Sequence, residues 1–404
     1  MTRGATPCIA VLGGAGAMGR IVVRDLAETA PRGVDIVLAD RDLRGARGVT
    51  AALPRPVRVV ATDAGNPVAT ARALSGASVI INACHHDFNL RVMDAALSIS
   101  CHYLDLGGLF HVTRRQLLRH GEFKRAGLLA LCGMGSAPGI VNVLARAGAA
   151  RLERVDEIHV AVGTSARTAS DGAPLLETSY SIQTVLDEAS RPAAIFSGGA
   201  LSFVPPLSDA RPVDFPHPVG RQYPVCTLHS ELATLPRSFR RQGLRKATFR
   251  IAFPDGLVER LRFVHALGLT STDPIVVRGA TIVPREVLLE LLSRQPRASN
   301  HGTRDEYEVL RVTLRGRRGG RTVQDVLDCH VPGFPAWNVG VDIDTGAPPS
   351  IVAQMIVDGA IEARGVLPPE QAVPHEPFFR ELKRRGMSIR RRTRRLDGRR
   401  MKPV

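Results

Sequence analysis

Aromatic side chains are scarce in this chain: 4% of 404 residues, with a single Trp and four Tyr. Surfaces that stack nucleic-acid bases need such rings interleaved with basic residues, so a nucleic-acid partner is not expected. Lysine is nearly missing, four residues against 50 Arg. Codon composition accounts for that bias as readily as a binding partner does. No apolar run approaches the roughly 20 residues that cross a bilayer. The first apolar run leads into a glycine-rich turn rather than a leader cleavage site. No membrane partner is expected, and a cytoplasmic location is. The six cysteines, at 8, 84, 101, 132, 226 and 329, include no C-x-x-C pair, and reduced, buried thiols fit that scatter. His85, His86, His102 and His111 match no zinc-ligand spacing, and no metal is expected.

What is present is a nucleotide-binding signature. The apolar run Cys8 to Leu12 predicts a buried strand, and Gly14, Gly16 and Gly19 follow with G-x-G-x-x-G spacing. The first glycine permits the tight turn, the second admits a pyrophosphate, and the third lets helix and strand pack closely. Gly16, Ala17 and Met18 then open a helix whose unpaired N–H groups face the phosphates. A second strand, Asp35 to Ala39, ends on Asp40, 21 residues past Gly19, where a carboxylate can hold the adenosine ribose diol. Asp40 repels a 2′-phosphate and favours NAD, whereas a guanidinium at Arg41 could pair with that phosphate. NAD is the expected cofactor, with NADP possible.

Further strands alternate with helices through Leu131, which argues a Rossmann-type, doubly wound parallel sheet. Ligands of such sheets bind beyond the carboxyl ends of the strands. That rule puts Asp63, the stretch Asn82-Ala83-Cys84, and Asp105 on one rim with Gly14 and Asp40. From Glu157 the pattern becomes strand-like alternation mixed with helices near 180–188, 256–266 and 284–293, a mixed α+β substrate and dimerisation domain. The expected division is 1–140, 141–344, then helices at 345–382 returning to the Rossmann domain. The last of these segments, 383–404, reads as a solvated basic tail. Residues 383–402 hold eleven Lys or Arg and one Asp, +10 of the net +16.

Several blocks together resemble the saccharopine dehydrogenase family. They are Gly13 to Gly19, Ala39-Asp40-Arg41, Val79 to Asn82, His102 to Gly108, Ala137 to Asn142, and Gly365 to Glu370. Within the family, Tyr180-Ser181-Ile182 and His229 to Pro236 look most like the lysine 6-dehydrogenase branch. The resemblance implies NAD(P)-dependent oxidation of an amino-acid C–N bond through an imine, as in lysine 6-dehydrogenase or saccharopine dehydrogenase, by a homodimer with a small amino-acid substrate. One departure stands out: where that branch carries an aromatic-Pro-Gly-His segment, this chain has Phe253-Pro254-Asp255-Gly256, and the histidine is gone.

Amine oxidation needs a positioned carbon, a base for the nitrogen proton and a water. His229 and Glu231, two apart in a polar segment, would share one face of a strand, and an imidazole beside a carboxylate can serve as general base near neutral pH. Tyr180 could hydrogen-bond the amine or carboxylate. Asp105 reads either as a holder of the substrate ammonium or as a cap for the glycines after it. Cys84, beside the nicotinamide ribose, reads as a structural thiol rather than a nucleophile, which would need a lowered pKa. Arg221 is the candidate partner for a substrate carboxylate. A different class remains open, a nucleotide-binding sensor or scaffold without catalysis, motivated by the missing histidine and the basic tail.

Overall fold

Seven parallel strands carry the nucleotide half of the molecule. The computed structural model describes residues 6–166, 176, 181–295 and 306–396. In chain order the strands are β1 (Cys8–Leu12), β2 (Asp35–Asp40), β3 (Arg58–Ala61), β4 (Val79–Asn82), β5 (His102–Asp105), β6 (Leu129–Leu131) and Gly365–Leu367. Across the sheet they run β3, β2, β1, β4, β5, β6, then Gly365–Leu367. Every neighbouring pair is parallel. Chain order reverses between β1 and β4, and the crevice at that switch point is where such sheets take ligands. β1 and β4 are buried along their whole length; helices cover both faces, which is why these strands are continuous apolar runs.

The chain leaves this sheet, builds a second one and returns. The second sheet centres on β7 (Arg154–Ala166). On one side of β7 come Lys246–Ile251, then β8 (Ala193–Ser197) and β9 (Ala200–Val204). On the other lie Glu306–Arg318, Arg321–Val331 and Ser388–Arg395. Only β7 and Lys246–Ile251 are parallel, so the sheet is mixed. One apolar cluster spans both sheets, from Val11 and Leu104 to Val160, Phe249 and Val312. Their relative placement is therefore held by shared core and not by a linker.

The returning helix is Ile343–Val357, which packs on α1 (Ala17–Thr29). The sequence places it at about 349–364. Pro348 and Pro349 lie inside it and do not start it. Each removes a helical N–H, a cost outweighed by the burial of Ile351, Val352, Met355 and Ile356. Gly346 makes the approach possible, since a Cβ there would stand 2.5 Å from that of Ile21.

The tail expectation is corrected. Helix His375–Arg384 runs into the basic segment, and Ser388–Arg395 is an edge strand antiparallel to Arg321–Val331. Part of its charge is paired across the fold: Arg391 with the fully buried Asp325, which also accepts from the Thr393 hydroxyl, Arg392 with Asp328, and Arg385 with Asp25 at 2.6 and 2.8 Å. The counter-acids lie tens to hundreds of residues upstream, so a run of arginines looked unpaired in one dimension. Among the described residues, no helix is long and apolar enough to cross a membrane.

Candidate active site

The glycine loop has the shape its spacing requires. A Cβ on Gly14 would meet Leu38 at 2.5 Å, and one on Gly19 would meet the Gly13 carbonyl oxygen at 2.1 Å. Gly16 caps α1 without any side-chain hydrogen bond, and Gly16 and Ala17 are exposed, with Met18 half-buried behind them. The first N–H groups of α1 therefore stay open toward the crevice, a cradle for a pyrophosphate. Asp40 does more than wait for a ribose. Its Oδ2 accepts from Ala15 N and its Oδ1 from Asp42 N, both at 2.9 Å, which ties the acid to the loop while leaving each oxygen a lone pair. Arg41 and Asp63 are exposed beside it, and Asp63 Oδ1 accepts from Gly65 N. These residues fit a dinucleotide.

Two rim residues have turned inward. Asp105 is fully buried. Its Oδ1 accepts from Gly107 N (3.0 Å) and Gly133 N (2.7 Å), and its Oδ2 from Tyr103 Oη (2.8 Å) and Gln116 Nε2 (2.6 Å). Burial raises its pKa while those donors pull the other way. With four donors engaged it has no place for a substrate ammonium, and the capping alternative is the one realised. Asn82 likewise gives its amide to Asn89 and Tyr103 and takes Cys84 N, so its side chain shapes the turn rather than touching a cofactor. Ala83 and Cys84 abut the glycine loop: a Cβ on Gly13 would sit 2.8 Å from Cys84 Sγ and 3.1 Å from the Ala83 carbonyl carbon. Burial, then Asp40, push the Cys84 thiol up to about 12. It is neutral and inert at neutral pH.

The opposite wall of the cleft carries the reactive groups. His229 is not on a strand. It precedes the helix Glu231–Ser238 and stacks on Phe249 with ring centroids 3.7 Å apart. Its Nδ1 lies 2.7 Å from Glu231 Oε2 and its Nε2 3.4 Å from Glu188 Oε1, and all three residues are buried. Burial pulls the imidazole pKa down, but Glu231 and Glu188 outweigh it and hold it up at about 10. His229 is thus an imidazolium at neutral pH, which corrects the expectation of a neutral base. Glu231 Oε1 is buried with no hydrogen-bond partner.

Two contacts bring this centre over the rim. Ser230 Oγ accepts from Thr113 Oγ1 at 3.1 Å, in the helix Leu109–Leu118 that follows β5. Asp187, next to Glu188 on the helix Ile182–Ser190, reaches His86, two residues past Cys84, at 3.6 Å. His85, His86 and Asp187 are the group among the described residues that could hold a metal ion. Asp187 already pairs with Arg285 at 2.6 Å and Arg191 at 3.2 Å, so the grouping is a charge-paired bridge across the cleft. Burial and His85 lower His86 to about 4, leaving it neutral. Glu188 and Asp187 were missed in the sequence, where two acids in an amphipathic helix follow no spacing rule. Tyr180 lies outside the described residues. Arg221 is a surface residue, its side chain 61% exposed and 3.3 Å from Asp214, not placed with the His229 centre.

Comparisons with known proteins agree with this fold. Residues 9–131 match the saccharopine dehydrogenase NADP binding domain and residues 135–387 the saccharopine dehydrogenase C-terminal domain. Carboxyaminopropylagmatine dehydrogenase of Synechocystis is 26% identical over 388 residues, 93% of this chain and 95% of that one. Carboxynorspermidine synthase of Vibrio cholerae is 22% identical over 76% of each chain. In structure, saccharopine dehydrogenase (L-Glu forming) from Saccharomyces cerevisiae superposes with a TM-score of 0.73 at 17% identity, covering 96% of this chain and 99% of that one. The homospermidine synthase of Legionella pneumophila, solved with NAD, gives 0.65 at 14%, covering 98% and 94%. At such identities the two structures speak to the fold alone. Glycine cradle, mixed second sheet and both matched domains together make this chain a member of the saccharopine dehydrogenase family, an NAD(P)-dependent dehydrogenase.

Proposed function

We propose that the protein catalyses reversible oxidation of a secondary amine that links a carboxylated chain to a second, cationic amine. The observation that carries this reading is the buried Glu188–His229–Glu231 centre, with Glu231 Oε1 unpartnered. A buried carboxylate oxygen without a donor is rare in a scaffold and suits a substrate N–H. Bound NAD(P) supplies or accepts a hydride at the substrate carbon. Glu231 Oε1 orients the nitrogen. His229 gives its proton to that nitrogen in the reductive direction and recovers it in oxidation. Against the pull of burial, Glu231 and Glu188 hold its pKa up at about 10, which keeps it protonated and ready to donate at neutral pH. Water then adds across C=N, and the C–N bond breaks to a carbonyl compound and an amine.

The named relatives support an amine of this size over lysine, and the absence of a histidine after Pro254 points the same way. Purified protein incubated with NAD or NADP and carboxyaminopropylagmatine, carboxynorspermidine, saccharopine or lysine tests the reading through absorbance of the reduced cofactor. Turnover of the first two is expected. Turnover of lysine alone would restore the narrower assignment. Tight cofactor binding without turnover on any amine, in either direction, would leave the sensor.

A further inference from the structure

A small unit stands apart from the main core. Helices Ile182–Ser190, Leu257–Ala266 and Pro284–Ser293 close on Val185, Leu186, Leu257, Leu261 and Leu288, a cluster of their own. Between the last two helices runs a hairpin, Ile275–Val277 against Ala280–Ile282. Its two-residue turn is Arg278-Gly279, with φ of +49° and +84°, the double positive φ that a type I′ turn demands. Neither strand pairs with any other among the described residues, and every residue from 272 to 281 is exposed. A two-stranded ribbon is marginal in water by itself and gains stability from a third strand or a covered face.

This unit also carries more than half of the large exposed hydrophobic residues among those described. Phe263, Leu267, Val287 and Leu291 on the helices are 40–64% exposed, and Ile275 to Val277 on the hairpin 44–73%. Together they show on the order of 700 Å², above the largest apolar patch of a typical monomer and close to the roughly 800 Å² that each partner gives a stable interface. No charged residue or proline interrupts either strand, so the usual devices that keep edge strands from pairing are missing. A twofold axis normal to the ribbon sets such an edge antiparallel to its own twin, and twofold pairs are the commonest oligomers. An edge that fits itself needs no foreign sequence.

The same unit holds the reacting centre together. Arg285, in the first turn of Pro284–Ser293, donates to the Thr270 carbonyl oxygen at 2.8 Å and to Asp187 Oδ1 at 2.6 Å. Asp187 reaches His86 across the cleft at 3.6 Å, and its neighbour Glu188 lies 3.4 Å from His229. Val287 and Leu291 are the exposed apolar residues of the Arg285 helix, so covering them steadies Arg285. We propose that a second copy of this chain docks here, each Ile275–Val277 edge pairing with its twin, and that the contact fixes Arg285 on Asp187 and so Glu188 on His229. Arg285 is then a positioning residue, two steps from the reacting atoms. The surface stands without the amine reading above; only its effect on turnover rests on that reading.

Sedimentation velocity of the full-length protein with NAD present tests the contact. The wild type is expected to be a dimer at about 10 μM. Val276→Glu puts like charges face to face across the axis and should weaken the dimer about a hundredfold or more, and Val276→Arg should do the same. An equimolar mixture of the two variants should restore the dimer, which neither a folding defect nor a different interface would do. Hydrogen exchange reads the site without any substrate. Amides of Ile182–Ser190 should lose protection about tenfold in the Val276→Glu monomer while β1 keeps its own. A monomeric wild type, a dimer that Val276→Glu leaves intact, or a mixture that stays monomeric would overturn the docking surface. Unchanged exchange in Ile182–Ser190 would overturn the link to the site. A dimer with both signatures but no turnover on any amine would uphold this contact and overturn the proposed reaction.

Discussion

Both walls of the cleft bury carboxylates, but they use them in opposite ways. On the nucleotide wall, Asp105 engages four donors and Asn82 is bonded on both of its amide atoms. On the facing wall, Glu231 keeps a buried oxygen with no partner. A satisfied buried acid fixes backbone; an unsatisfied one is a standing cost that only a ligand or a proton offsets. The difference separates scaffold from chemistry more reliably than position on the rim, where Asp105 and Asn82 had looked like ligands.

Exchanging the effects of the two kinds of acid would break the comparison. Glu231→Gln should lower kcat on the amine substrate by about 10²–10⁴-fold, because it takes away the oxygen that orients the nitrogen and the charge that keeps His229, the proton-transfer partner, protonated, with NAD affinity little changed. Steady-state kinetics beside cofactor titration checks this. Asp105→Ala should do the reverse. It orphans buried donors on Tyr103, Gln116, Gly107 and Gly133, at about 1–3 kcal/mol each where no water replaces the acid, and thermal denaturation should show a large fall in Tm.

The charged centre also predicts a pH signature. The His229 pKa in the folded protein, about 10, stands above the imidazole value of about 6.5 in the unfolded chain. Its contribution to stability is therefore complete below about pH 6.5 and lost as pH rises toward about 10. Tm of the wild type should fall across that window more steeply than Tm of His229→Gln; parallel curves would place the charge elsewhere. Smaller effects sharpen the boundary. Asp40→Ala should weaken NAD binding about fivefold, near 1 kcal/mol, and narrow the preference against NADP. Measured dissociation constants for both cofactors test it, and a wild type that prefers NADP would show that Arg41 dominates. Arg221→Ala, at an exposed ion pair, should change Tm and KM by no more than the scatter expected within about 0.5 kcal/mol.

Much of the nucleotide wall is legible in one dimension because it is local. The strand Cys8–Leu12, three glycines and Asp40 lie within 33 residues, and each has a backbone reason for its place. The substrate wall is not local. Glu188, His229 and Phe249 come from a helix, a loop and a strand. His229 and Glu231 were found by their type and by resemblance, yet as a strand pair with a neutral imidazole, since Glu188 could not be foreseen. The basic segment failed for the same reason: Asp25, Asp325 and Asp328 are its partners at long range.

The closing position of Gly365–Leu367 has a consequence for how the protein is made. Chains emerge from the ribosome amino end first, and domains generally fold as units in that order. Here β6 waits for its neighbour Gly365–Leu367, and α1 for the helix Ile343–Val357, until more than 200 further residues have been synthesised. The Asp25 carboxylate near the start finds its guanidinium at Arg385 later still. A nascent or prematurely terminated chain thus carries an open strand edge and an uncovered apolar helix face, both invitations to aggregation. Synthesis past Arg385, more than completion of the first sheet, is the event that closes this fold.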